Sequence, residues 1–217
     1  MLSSPVSLVP LFLSCLVLLQ LGFPTNGNPQ TMEELLLTLR AGTAEEKVRA
    51  VIQLVNRGDQ RALPHLKEAL RDAHERVRQA AEQGMWALWL QSSDAAVDTL
   101  MERGIRLLEQ RRFEEAVQVF ADIVAQAPGF AEGYNKRATV YYLMKEFDKS
   151  LRDCAATLRL NPDHFGALSG SGLCYVGLKR YREALRAFRR AVAVNPNLES
   201  IKEYIKDLEA YLRNRSL

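Results

Sequence analysis

Histidine and cysteine are scarce in this chain, with three of each in 217 residues. His65, His74 and His164 stand apart, no two of them form an i, i+4 pair, and no Cys-x-x-Cys spacing occurs. Zinc sites and cysteine–histidine nucleophile pairs need such groupings, so the sequence offers no catalytic residue, metal site or cofactor. Each histidine is expected in a turn or on an exposed face. Cys154 and Cys174 fall on apolar helical positions and read as buried free thiols. A bridge between them is the alternative in an oxidising compartment. A long basic stripe is also missing. The net charge is +3, with both signs abundant. Arg111-Arg112 and Arg186, Arg189 and Arg190 lie on outward helical faces as solvated charges, which argues against a nucleic-acid partner.

Charge is absent altogether from the first 32 residues. Leu8 to Leu21 is largely apolar, broken by Pro10, and a turn-rich run from Gly22 to Pro29 follows. An apolar run this short, followed by small and polar residues, has the plan of a secretory signal peptide over residues 1–27, cut near Gly27. It predicts entry to the secretory pathway, with an extracellular or periplasmic destination. The alternatives are an uncleaved membrane anchor or the lumen of an organelle. Without arginine it does not fit a mitochondrial presequence. Membrane contact is expected only through an uncleaved leader. Cys15 leaves with the leader, and Asn214-Arg215-Ser216 is a glycosylation pattern close to the chain end.

What the chain has in plenty is internal repetition. Pro128, Pro162 and Pro196 recur at an interval of 34 residues. Small residues recur in the same register at Gly104, Ala138 and Gly172, and again at Ala116, Ser150 and Ala184. Rings recur at Phe113, Phe147 and Tyr181, and larger residues at Phe120, Cys154 and Phe188. Each unit reads as two helices. In the last copy, Phe165 to Leu178 carries helical spacing, Lys179-Arg180 turns the chain, and Tyr181 to Val194 makes the second helix. Asn195-Pro196 ends it, because the residue before proline is pushed out of helical geometry. The small residues mark where the two helices cross closely.

This spacing resembles the tetratricopeptide repeat, with three copies at 97–130, 131–164 and 165–198. Arg103, Arg137 and Ser171 depart from the leucine common early in the family's first helix, and Cys154 and Thr157 depart from an aromatic and an alanine. The resemblance implies an all-α, right-handed superhelical α-solenoid of helix-turn-helix repeats. Residues 199–217 then supply a capping helix, with Ile201, Tyr204, Ile205, Leu208, Tyr211 and Leu212 on its apolar stripe.

A second rhythm precedes the repeats, over residues 31–93. Thr43-Ala44-Glu45-Glu46 is a capping box opening a helix that Gly58 ends. The next helix begins near Arg61, with Pro64 tolerated in its first turn, and another runs from Arg76 to Leu90. Arg61-Ala62-Leu63-Pro64 and Val77-Arg78 resemble phrases of HEAT repeats, implying a continuous solenoid. Ser92-Ser93-Asp94 is expected to cap the junction helix. Gly166 to Gly172 invites comparison with a phosphate loop or nucleophile elbow, but it lacks the lysine and the G-x-S-x-G order and falls inside a helix.

Binding is the function this organisation implies: a non-enzymatic scaffold or adaptor, or an assembly factor, holding a peptide or helix of a protein partner. In tetratricopeptide arrays the first helices line a concave groove. Here the corresponding positions are Met101, Ile105 and Leu108, then Asn135, Thr139 and Tyr142, then Ser169, Leu173 and Val176, with Glu132 and Lys136 on the border. The subfamily that clamps the C-terminal carboxylates of cytosolic chaperones needs lysine, asparagine and arginine where Met101, Ile105, Lys136, Gly166 and Gly170 stand, so that partner is disfavoured. The alternative is an accessory subunit of an enzyme or cofactor-attachment system, acting through the HEAT-like surface, which such segments in bilin lyases bring to mind. Self-assembly through the cap helix is a third reading.

Overall fold

The computed structural model describes residues 30–214. The leader assigned to residues 1–27, with Cys15, lies outside the described residues, as do the last two residues of the glycosylation pattern. Among the described residues there are eleven α-helices, one 3-10 turn and no strand. None of these helices is long and apolar enough to cross a membrane. The chain divides into two compact units, the first ending at Leu88 and the second beginning at Trp89.

The first unit holds α1 (Met32–Ala41), α2 (Ala44–Asn56), α3 (Leu63–Ala69) and α4 (Glu75–Trp89) up to its last residue. Capping boxes start α1 and α2. Thr31 pairs with Glu34 and Thr43 with Glu46, each threonine oxygen taking a backbone N–H while the glutamate returns to the threonine N–H. Gly58, at φ 66°, makes the left-handed turn after α2, where a side chain would strain the backbone. Pro64 sits in the first turn of α3, where its missing N–H has no helical acceptor to leave unmet. A Cβ at Gly84 of α4 would come within 3.0 Å of Val51 and 3.3 Å of Leu66, so α4 crosses α2 and α3 at close range. Lys47 Nζ donates to Asp72 Oδ2 at 2.6 Å and joins α2 to the turn before α4.

The second unit is three helix pairs and a closing helix: α5 (Ala95–Glu109) with α6 (Phe113–Gln126), α7 (Ala131–Leu143) with α8 (Phe147–Leu160), α9 (Phe165–Gly177) with α10 (Tyr181–Val194), and α11 (Glu199–Arg213). Asp94 caps α5, its Oδ1 accepting from Ala96 N at 2.8 Å. Each pair turns on a basic residue with positive φ: Arg111 at 59°, Lys145 at 62° and Lys179 at 59°. The following N–H donates back five residues, Arg112 to Leu107, Glu146 to Tyr141 and Arg180 to Tyr175, closing a Schellman turn without glycine.

Within a repeat the helices meet at the expected small residues. A Cβ at Gly104 would lie 2.5 Å from the Phe120 ring, and one at Gly172 would lie 2.3 Å from that of Phe188. In the middle repeat the same two registers carry Ala138 and the smaller Cys154. The departure at Arg137 is answered locally: its guanidinium makes two bonds to Asp153, at 2.7 and 2.8 Å. Ile201 and Leu208 of α11 are buried, Tyr204 packs on Phe188 at 5.5 Å and Tyr211 on Tyr181 at 4.8 Å. The second unit is therefore an α-solenoid.

Candidate functional site

The first helices α5, α7 and α9 carry every residue assigned to the concave groove, and the structure treats the three helices differently. On α5, Met101 is buried in the apolar cluster of the first repeat, with Ile105 and Leu108 packed against it. Met101 is therefore core, while Ile105 and Leu108 are half-buried at its edge. On α9, Leu173 is buried and Val176 half-buried. Ser169 is buried too, and its Oγ has no hydrogen-bond partner among the described residues. Such an orphan is uncommon, because a buried hydroxyl without a partner carries a desolvation cost of about 1–3 kcal/mol.

The α7 residues form a buried polar network. Glu132 is 1 % exposed. Its carboxylate accepts from Asn135 Nδ2 at 3.1 and 3.2 Å, and Lys136 Nζ lies 3.2 Å from Oε1. His164 Nε2 meets Oε2 at 2.8 Å from the residue that caps α9. His164 Nδ1 accepts the Ala167 N–H at 3.1 Å, so the ring proton is on Nε2 and the imidazole donates to Glu132. Trp89 stacks on the same ring, centroids 4.2 Å apart. Burial pushes the Glu132 carboxyl up, but the Lys136 charge and the His164 and Asn135 hydrogen bonds outweigh it and hold the acid below its ordinary range. Thr139 Oγ1 donates to the Asn135 carbonyl at 3.0 Å. Tyr142 remains half-buried beside Phe147, its phenol pushed up by burial, with Tyr204 and Cys174 nearby.

His164 lies in the turn before α9, one of the two places expected for it, and its ring is fully buried there. The sequence signal that points to it is its register: it precedes Phe165 where a helix needs a cap, and it follows Glu132 by nearly one repeat. Both of its nitrogens are engaged, so no lone pair is left for general-base work. Cys154 and Cys174 are free thiols, and Cys174 donates to Ser150 Oγ at 3.1 Å. Among the described residues no group of three histidine, cysteine or acidic side chains can hold a metal ion. Gly166 to Gly172 is helical, inside α9.

Family comparison agrees with this architecture. Two models of the tetratricopeptide repeat match residues 101–153 and 165–198. The chain carries tetratricopeptide repeats. A TPR repeat-containing protein of Rhizobium etli is 29% identical over 55% of this chain and 59% of its own length. Hsp70-Hsp90 organizing protein 1 of Glycine max is 29% identical over 50% of this chain and 19% of its own. The matches thus span about three fifths of the first relative and a fifth of the second. Among solved structures, the first TPR domain of Spaghetti (RPAP3), bound to an HSP90 peptide, superimposes with a TM-score of 0.53 at 22% identity. It covers 54% of this chain and 93% of that one. MamA of Desulfovibrio magneticus gives a TM-score of 0.51 at 20% identity, covering 76% and 86%.

Proposed function

We propose that this chain is a non-enzymatic protein-interaction module that holds an extended segment of a partner along the inner face of α7 and α9. The observation that carries the reading is Ser169, a buried hydroxyl at a groove register that finds no partner among the described residues and that the backbone of an inserted peptide would satisfy. The half-buried Tyr142 and Val176 supply apolar contact at neighbouring groove positions. The likeness to a tetratricopeptide domain that binds a chaperone peptide supports the class of function. Residues 31–93, with their HEAT-like phrases, offer a second surface in the same reading.

The chemistry disfavours a partner that is recognised by its terminal carboxylate. Asn135 and Lys136 already serve the internal carboxylate of Glu132, and an incoming one would compete for donors held by a buried acid. A photo-reactive residue placed at Tyr142 or Val176 is expected to cross-link a partner, and Ser169→Leu is expected to abolish the product with helix content unchanged. Cross-links formed equally in Ser169→Leu, or only from outer positions such as Arg186, overturn the groove reading. Peptides taken from the cross-linked segment are expected to bind equally as free acid and as amide. The leader assigns this encounter to the secretory pathway, and a mature amino terminus near residue 28 is the expected result of sequencing the protein from its source.

A further inference from the structure

The second helices of the repeats turn one face to solvent, and its charge reverses along the array. The stripe at positions one and two helical turns apart reads Glu114, Gln118 and Asp122 on α6, and all three are exposed. One repeat later it reads Asp148 and Arg152, both exposed, and then the buried Ala156. Two repeats later, on α10, it reads Arg182, Arg186 and Arg190, again all exposed. In full, α6 carries three acidic residues and no basic one, while α10 carries four arginines and one glutamate. Arg180 pairs with Glu183, and Arg189 with Glu209. Among the described residues, Arg182, Arg186 and Arg190 have no ion pair, and neither does Glu114.

We infer that a second copy of this chain docks on this outer face, the acidic stripe of α6 meeting the arginine stripe of α10. The match is one of register as well as sign. Glu114 and Asp122 are eight residues apart on their helix, as are Arg182 and Arg190, so both charge pairs span about 12 Å. Ends of opposite sign on one molecule make each copy complementary to the next. Three exposed guanidinium groups on one stripe repel one another, only Arg186 being offset in part by Glu183, and an acidic stripe relieves that repulsion. On the cap helix, Tyr204 and Tyr211 pack on Phe188 and Tyr181 of the same chain and stay half-buried.

Contacts of this kind are weak singly and strongly screened, so the association is expected at low ionic strength and is lost when salt shortens the screening length. The test is sedimentation velocity of the full chain across a concentration series, at low salt and at about 0.5 M salt. Two variants carry reversed stripes: Arg182→Glu/Arg186→Glu/Arg190→Glu and Glu114→Arg/Asp122→Arg. Each alone is expected to remain a monomer at low salt with unchanged helix content, and Arg182→Gln is expected to weaken association by no more than about fivefold. Mixed together, the two reversed variants regain complementary stripes and are expected to associate with each other. A wild-type chain that stays monomeric at low salt overturns the proposal, as does association that survives either reversal or a mixture that fails to pair. A wild-type monomer that binds a separate glutamate-rich helix assigns the arginine stripe to a different partner and equally overturns docking of a second copy.

Discussion

Gly172 lies under the ring of Phe188 so closely that a single methyl on its Cα would come within 2.3 Å of the ring. The crossing of α9 and α10 is set by that pair. Gly172→Ala is expected to lower stability by about 1–3 kcal/mol through overpacking, even though alanine is the better helix former. The middle repeat solves the same crossing with Ala138 and Cys154, so Gly172→Ala in a Phe188→Cys background is expected to cost far less than it does alone. Urea denaturation of the four members of the cycle measures this. Additive effects would show that the ring yields without resistance.

Glu132→Gln leaves the buried ammonium of Lys136 without its carboxylate and is expected to cost about 3–5 kcal/mol. Glu132→Gln/Lys136→Met removes both charges and is expected to recover most of that loss. The pH dependence has a definite sign. The folded carboxyl lies below its ordinary value of 4.5. Its contribution is therefore complete above that value and lost as pH falls through the folded one. Thermal melts from pH 7 downwards should show a steeper acid loss in wild type than in the double variant. Parallel curves would mean that Glu132 does not titrate with unfolding.

The Lys47–Asp72 pair gives the first unit its own acid sensitivity. Burial raises the Asp72 carboxyl, but the Lys47 hydrogen bond and those from His74 overcome it and bring it down to about 2, from an ordinary 3.8. Stability from this group is present above pH 3.8 and declines as pH falls from there towards 2. Lys47→Met is expected to flatten this part of the profile, as read by exchange of α2 amide protons. An unchanged profile would remove Lys47 as the cause.

Burial pushes the Cys154 thiol up to about 12 and the Cys174 thiol up to about 11. The thiolate is the reactive form, so neither is expected to react with iodoacetamide in the folded chain at pH 7.5. Both should label at once in denaturant, as counted by mass. Rapid labelling of the native protein would show that the core of the second and third repeats opens readily.

Much of the fold is legible from spacing. Tyr181–Val194 forms the helix that its apolar stripe and Asn195-Pro196 predict, and the capping box at Thr43 opens α2 as read. The turns were harder to read. Arg111, Lys145 and Lys179 take left-handed conformations that usually signal glycine, and their side chains give no local sign of it. The burial of the residues assigned to the groove was not legible in the sequence. Asn135, Lys136 and Thr139 sit at the positions named for it, yet they are withdrawn from solvent, because Glu132 gathers two of them and Thr139 bonds back along its own helix.

Local rules written in the chain determine the repeat length, the helix ends and the small residues at each crossing. A proline stops a helix anywhere beyond its first turn, and a glycine permits a close approach whatever lies opposite. Tertiary structure alone decided which polar groups would be buried and satisfied. Glu132 meets His164 across 32 residues, Arg137 meets Asp153 across 16, and Trp89 covers a histidine a further two helix pairs along. Desolvation costs and hydrogen-bond geometry depend on neighbours in space, and no periodicity of the sequence records who those neighbours are.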